Sequence, residues 1–188
     1  VFIFHKFLNV DANNNFNYIS TAQKASIINS IEDKKLVNTE IIPQDPIYTA
    51  FGLGVATDTN DELGVDIIGQ TQLVIKRDTL SNVSADNLKQ RINNIFKNYF
   101  NNLELGSLFS INEILIEIFK LPGISNIYTR RTINGRTYEV PNISMIAFNS
   151  IYPENDIRVI SGDYQLPFFK YPFIYGGDIL NKIIVENV

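Results

Sequence analysis

Cysteine is absent from this 188-residue chain, and histidine occurs once. The first absence excludes disulfides and thiolate metal sites. The second excludes a metal site built on clustered histidines. No run approaches the roughly 20 apolar residues that a membrane-spanning helix needs, and no secretory or transit pattern is visible. Positive charge is scarce as well: 16 Lys and Arg stand against 20 Asp and Glu, a formal net charge of −4 and a pI near 5.0. Binding a phosphate backbone relies on clustered, unneutralised cations, so an acidic chain with scattered Lys and Arg is a poor candidate for it.

The length suits one domain of ordinary size, or one domain with a smaller appendage. Such a chain buries about 70% of its unfolded surface and needs no staples to fold. It opens on Val in an apolar run, and this predicts a piece of a longer polypeptide.

Val1 to Phe7 is rich in β-formers and predicts a central strand. His5 within it is expected to be a half-buried strand residue rather than a catalytic base. Asp11 to Asn17 begins with the Asp-x-Asn-x-Asn spacing of a calcium loop. Its sixth and twelfth positions, which need Gly and Glu, hold Phe16 and Ala22, so the metal reading fails. Ser20 to Gln23 is a capping box, and the helix it starts is expected to run to about Lys35. Ala22, Ala25, Ile28 and Ile31 mark its expected buried face, with Ile27 beside them and a solvated charge run from Glu32 to Lys35 at its end.

Thr39 to Ile42 is extended, and Pro43 and Pro46 bracket a turn. Ile47 to Thr57 predicts a strand. Its Gly52-Leu53-Gly54 lacks the third glycine and the following helix of a phosphate loop, so these glycines are expected to mark a bulge or a close backbone approach. Asp58 to Gly64 is expected to be a hairpin-like connection to a strand over about Val65 to Arg77, with another bulge at Gly69. Asp61 and Glu62 in the connection have no desolvated, rigid setting that would make them a catalytic pair.

The stretch from Val83 to Thr132 organises the chain. Ser84 is an N-cap, and Leu88, Ile92, Ile95, Phe96, Tyr99 and Leu103 recur at the spacing of one buried helical face. Gly106 breaks the pattern. Ser110 to Glu113 reads as a second capping box, followed by Ile111, Ile114, Leu115 and Ile118 at helical spacing. Pro122-Gly123 stops that helix, and Ile124 to Thr132 returns as a strand. Glu113 and Glu117 share a helical face, but capping explains the first and solvent exposure the second. The order strand, helix, strand, strand, helix with its satellite helix, strand is the ferredoxin-like βαββαβ pattern. The expected fold class is therefore α+β, with a ferredoxin-like domain over residues 1–132 and a β-rich C-terminal arm or subdomain over 133–188.

In that second segment Asn134-Gly135 is a strong two-residue turn signal. Val140 to Phe148, Ile157 to Ile160, Phe168 to Tyr175 and the closing apolar run predict strands. Phe169, Tyr171, Phe173 and Tyr175 alternate onto one face, and Pro167 and Pro172 point to an edge strand or an extended arm. The four form an aromatic core face or, alternatively, a docking strip for another subunit. Arg130, Arg131 and Arg136 cluster near the turn and are expected to form salt bridges to an acidic neighbouring subunit.

The element order, with three particular runs, resembles the C-terminal part of baseplate wedge proteins of contractile-tailed, T-even-like phages and the broader baseplate J-like family. The runs are Val1 to Phe7, Thr21 to Thr57 with its Pro46-Ile47-Tyr48, and Val83 to Arg130 with Phe100, Gly106, Phe109 and Gly123-Ile124. The resemblance covers about Val1 to Thr132. It implies an architectural role with no catalytic residue, metal or cofactor. The implied partners are other copies of the chain, as a dimer, and other wedge proteins, in a ring around the baseplate hub that rearranges on tail contraction. The implied place is the virion's tail baseplate, assembled in the host cytoplasm. The alternative is a ferredoxin-like binding module that takes RNA or a peptide on an open sheet face.

Overall fold

The computed structural model describes residues 19–34, 42, 47–56, 64–79, 82–149 and 158–188. The expected strand at Val1 to Phe7, His5, the Asp11 to Asn17 loop, and Asp61 and Glu62 lie outside these residues.

The first helix, α1 (Thr21–Ile31), begins as its sequence predicts. The Ser20 hydroxyl accepts the Gln23 N–H at 3.2 Å, and the Gln23 side chain accepts the Ser20 N–H at 2.9 Å. Its expected core face is not in the core. Ala22 and Ala25 are exposed, Ile28 and Ile31 are only half-buried, and no residue of the helix is buried. Capping is a local matter that the sequence carries; burial needs a partner surface, which the helix lacks among the described residues.

Among the described residues ten strands and three further α-helices follow: β1 (Ile47–Leu53), α2 (Gly64–Gln70), β2 (Thr71–Arg77), α3 (Ala85–Asn102), β3 (Leu108–Ser110), α4 (Ile111–Phe119), β4 (Ile124–Ile133), β5 (Arg136–Pro141), β6 (Met145–Asn149), β7 (Arg158–Ile160), β8 (Asp163–Gln165), β9 (Lys170–Ile174) and β10 (Ile183–Asn187). They form two four-stranded sheets, ordered β7-β6-β1-β9 and β10-β2-β4-β5, and a small β3-β8 pair. The fold is mixed α and β.

These pairings depart from the ferredoxin-like order. β1 and β2, expected as neighbours across a hairpin, lie in different sheets. The expected strand over Val65 to Arg77 begins as the helix α2, in which Gly69 is helical and not a bulge. Adjacent Ile67 and Ile68 are both buried, and the Thr71 hydroxyl closes the helix on the Ile67 carbonyl at 2.5 Å. A short apolar run does not distinguish helix from strand by period alone. β2 and β4 pair directly and antiparallel. Two helices, not one, separate them, so the chain crosses an even number of times and returns reversed. A single helix would have returned it parallel, as a βαβ unit requires.

Strands after residue 133 enter both sheets: β6, β7 and β9 flank β1, and β10 runs parallel beside β2. The boundary expected at 132/133 therefore falls inside the β4-β5 hairpin, whose tip is Asn134 (φ 50°) and Gly135 (φ 73°). Those positive φ values are what a two-residue hairpin needs, and the Asn-Gly pair supplies them readily. The strand expected over Val140 to Phe148 is interrupted where the chain changes sheets. Asn142 takes φ 65° there, the Ser144 N–H donates to Thr129 Oγ1 at 2.8 Å, and the Ser144 hydroxyl donates to the Gly54 carbonyl at 2.7 Å.

The main core joins one face of each sheet to α3 and α4. Phe51, Leu73, Ile75, Phe96, Phe109, Ile114, Ile118 and Ile127 have no exposed surface there. A second cluster lies on the opposite face of the β1 sheet, where Ile67 and Ile68 of α2 join Tyr48, Ala50, Ile146, Phe148, Tyr171 and Phe173. Both faces of that sheet are thus buried, which is why β1 from Tyr48 to Leu53 is continuously buried, Thr49 included, rather than alternating. Gly52 and Gly54 permit the close approach expected of them. A Cβ at Gly52 would lie 2.5 Å from Ile68, and one at Gly54 would lie 2.2 Å from Ile146.

Candidate functional site

The residues expected at a subunit interface divide between core and surface. Tyr171 and Phe173 are each only 3% exposed and belong to the second cluster. Tyr175 is half-buried and packs beside Phe148 at 5.5 Å between ring centroids. Phe169 is half-buried at the start of the strand, in edge-to-face contact with Phe168, which is 73% exposed. Among the described residues β9 has the edge position expected for it: it pairs with β1, in parallel, and Pro172 lies opposite Thr49. The alternation thus serves the core at its centre, and only its ends reach the surface.

Arg130 and Arg131 point to opposite faces of β4. Arg131 faces inward and is 3% exposed. Its guanidinium donates to the Gln70 side chain at 3.1 Å and to the Val55 carbonyl at 3.3 Å. It is a fastening between α2, the end of β1 and the second sheet, not a cation offered to a neighbour. Reversing its charge would set a buried carboxylate against the Val55 carbonyl and disrupt the fold.

Arg130 faces outward and is engaged within its own chain. It bonds Glu139 on β5 and Glu186 on β10, each at 2.6 Å, and Glu186 also holds Lys76 of β2 at 2.5 Å. The ladder crosses all four strands of the sheet. Its four members come together because Lys76 lies opposite Glu186 and Arg130 opposite Glu139 in the strand register. Arg130 reaches over β2 to Glu186, above the side of that strand where Val74, two residues from Lys76, is fully buried. The stems of long charged side chains can cover an apolar residue while their heads stay wet. The Arg130 and Lys76 hydrogen bonds lower the Glu186 pKa to about 2 from an ordinary 4.5, and those to Glu186 and Glu139 raise that of Arg130. Lys76 and Glu186 were missed in the sequence because their partners are distant in it. This is a neutralised surface: its cations are already paired, which leaves little to attract a phosphate.

A second polar group joins α3, α4 and β8. The Tyr99 hydroxyl accepts the Ser110 N–H at 2.7 Å, and the Ser110 hydroxyl donates to Asp163 at 2.5 Å. Burial raises the Tyr99 pKa, with the neighbouring Glu113 and Asp163 adding to it. Ser110 does begin α4, but its side chain makes no capping bond. The pairing of β3 with β8 brings Asp163 into reach and draws the hydroxyl away.

One cleft among the described residues has a volume of about 260 Å³ and is lined by Leu53, Ile68, Tyr175, Asp178, Ile179 and Lys182 among others. Lys182 already donates to the Gly69 carbonyl at 2.7 Å. Among the described residues no three His, Asp or Glu side chains gather as a metal site would require, and no helix is long and apolar enough to cross a membrane. Exposed apolar side chains instead occur on α4, where Ile116 is 58% and Phe119 is 47% exposed. No family model matches the chain, and no curated protein matches it significantly.

Proposed function

We propose that this chain is a structural subunit of a contractile-tail baseplate wedge. It pairs with copies of itself, joins other wedge proteins in the ring around the hub, and shifts with that ring when the tail contracts. Its place is the virion's tail baseplate, reached after assembly in the host cytoplasm. The role assigns no catalytic residue and no cofactor.

The observation that carries this reading is the run from Val83 to Arg130. The residues on which its resemblance to wedge proteins rests have definite structural jobs in this chain. Phe100 and Phe109 pack at 5.5 Å in the main core. Gly106 takes φ 67°, and a Cβ on it would lie 2.7 Å from the Phe168 backbone. Gly123 takes φ 81° where the second helix ends and the return strand begins. Apolar periodicity alone would not demand glycine at those two positions.

The ferredoxin-like description of residues 1–132 is not carried into the proposal, because β2 and β4 pair directly and antiparallel. The alternative of an RNA-binding sheet face is weakened by the paired cations of the ladder.

Quantitative peptide mass spectrometry on purified tailed particles tests the reading. The expected result is this chain at a fixed whole-number ratio to the other tail proteins. Its absence from particles, with abundant free chain in the lysate, would refute the architectural role.

A further inference from the structure

We propose that Asn134 is a site of spontaneous covalent modification, at which the Gly135 main-chain nitrogen attacks the Asn134 side chain and converts it, through a cyclic imide, to aspartate and isoaspartate. The proposal stands apart from the architectural role.

Asn134 and Gly135 are the exposed tip of the β4-β5 hairpin, and the Asn-Gly pair occurs once in the sequence. The attacking nitrogen belongs to the residue that follows the amide, so the two reacting groups are held together by the chain itself. Glycine has no side chain to crowd the approach. A Cβ at Gly135 would meet nothing within 4 Å, so the space about it is open. Among the described residues no group accepts the Gly135 N–H, so no hydrogen bond has to break to free the nitrogen. The Ile133–Arg136 pair is the last rung below the tip, and loop tips are where a fold opens most readily.

Asn142 supplies an internal control. It too is exposed, and its φ of 65° is close to the 50° of Asn134. Its follower, however, is Ile143, a β-branched residue only 1% exposed. Its own N–H is tied to the Ile127 carbonyl at 2.9 Å. The two asparagines share a backbone conformation, and only Asn134 has an open nitrogen after it.

The chemistry balances without an oxidant or reductant. The Gly135 nitrogen gives up its proton to solvent base and bonds Asn134 Cγ, and the side-chain nitrogen leaves as ammonia after taking a proton from solvent. Water then opens the imide at one of its two carbonyls. Cleavage of the new bond to Cγ leaves aspartate in an ordinary main chain. Cleavage of the original peptide bond leaves isoaspartate, with the main chain routed through the former side chain. The net change is ammonia exchanged for water. Aspartate tolerates the left-handed conformation as asparagine does. Isoaspartate adds an atom to a turn whose length sets the strand register. That register places Arg130 opposite Glu139 and Arg131 opposite Tyr138, so isoaspartate disturbs the ladder and aspartate does not.

The test incubates the full folded chain at mildly acidic and mildly alkaline pH, then quantifies both products by peptide mass spectrometry. Conversion at Asn134 should run about tenfold faster than at Asn142 in the same sample, because access of the attacking group governs an intramolecular step. It should quicken as the pH rises and should yield both products. A rate no faster than at Asn142 would overturn the proposal. So would aspartate without isoaspartate, since direct hydrolysis of the side chain gives only the first. Gly135→Ala should slow the conversion. Strain at its φ of 73° would loosen the tip and by itself speed the reaction, so an unchanged or faster rate in that variant also counts against the proposal. The isoaspartate form should unfold at lower urea than Asn134→Asp, and equal midpoints would refute the effect on register.

Discussion

Replacing Glu186 by Gln isolates the charge that ties the ladder together. Glu186 receives Arg130 at 2.6 Å and Lys76 at 2.5 Å, and its side chain is 31% exposed. These partners lower its pKa from 4.5 to about 2. Taken whole, that difference corresponds to an upper bound of ~3 kcal/mol. Solvent reaches the group, so screening reduces the expected loss in the variant to about 1–2 kcal/mol at neutral pH. The sign follows from proton binding. Between about 2 and 4.5 the unfolded chain binds the proton that the folded chain refuses, so the stabilisation is fully present above 4.5 and is lost as the pH falls toward about 2. Urea unfolding followed by circular dichroism, for wild type and Glu186→Gln across that range, should therefore give two curves that are separated at neutral pH and converge in acid. A separation below about 0.3 kcal/mol at neutral pH, or one that stays constant into acid, would refute the assignment of the ladder as a stabilising network.

Gly54→Ala should cost about 1–3 kcal/mol in urea unfolding, because its Cβ would meet Ile146 at 2.2 Å at the buried position just past β1. Gly69→Ala should instead gain about 0.5–1 kcal/mol, since that glycine is helical and its Cβ would meet nothing within 4 Å. Phe173→Ala should cost about 3–5 kcal/mol of thermal or urea stability as a core truncation, whereas Phe168→Ala should stay within about 0.5 kcal/mol; equal effects would contradict their burial of 3% and 73% exposed. Arg131→Glu should abolish the cooperative thermal transition, and Arg130→Ala should only lower its midpoint, by an amount equivalent to about 1–3 kcal/mol.

What the sequence conveyed well was whatever its near neighbours decide. The Ser20 box and the Ser84 cap each close on a residue three positions away. Gly106, Gly123 and the Asn134-Gly135 tip each adopt the positive φ that their chemistry favours. The closing apolar run became β10 because its side chains had a sheet to join. Ser110 shows where this kind of inference ends. Glu113 stands three residues on, as in a capping box, yet the hydroxyl bonds Asp163, 53 positions away. A local motif competes with every group that folding brings near, and only the folded chain holds that competition.

The same distinction explains the sheets. Periodicity assigns a strand its faces but not its neighbours, and here the neighbours come from afar: β1 lies between β6 and β9, and β2 between β10 and β4. The candidate surfaces inherit this. Tyr171 and Phe173 alternate as a docking strip would, and they are core because they join the buried cluster on that face of the β1 sheet, to which α2, expected as strand, also contributes. Lys76 and Glu186 are 110 positions apart, and nothing in either neighbourhood names the other.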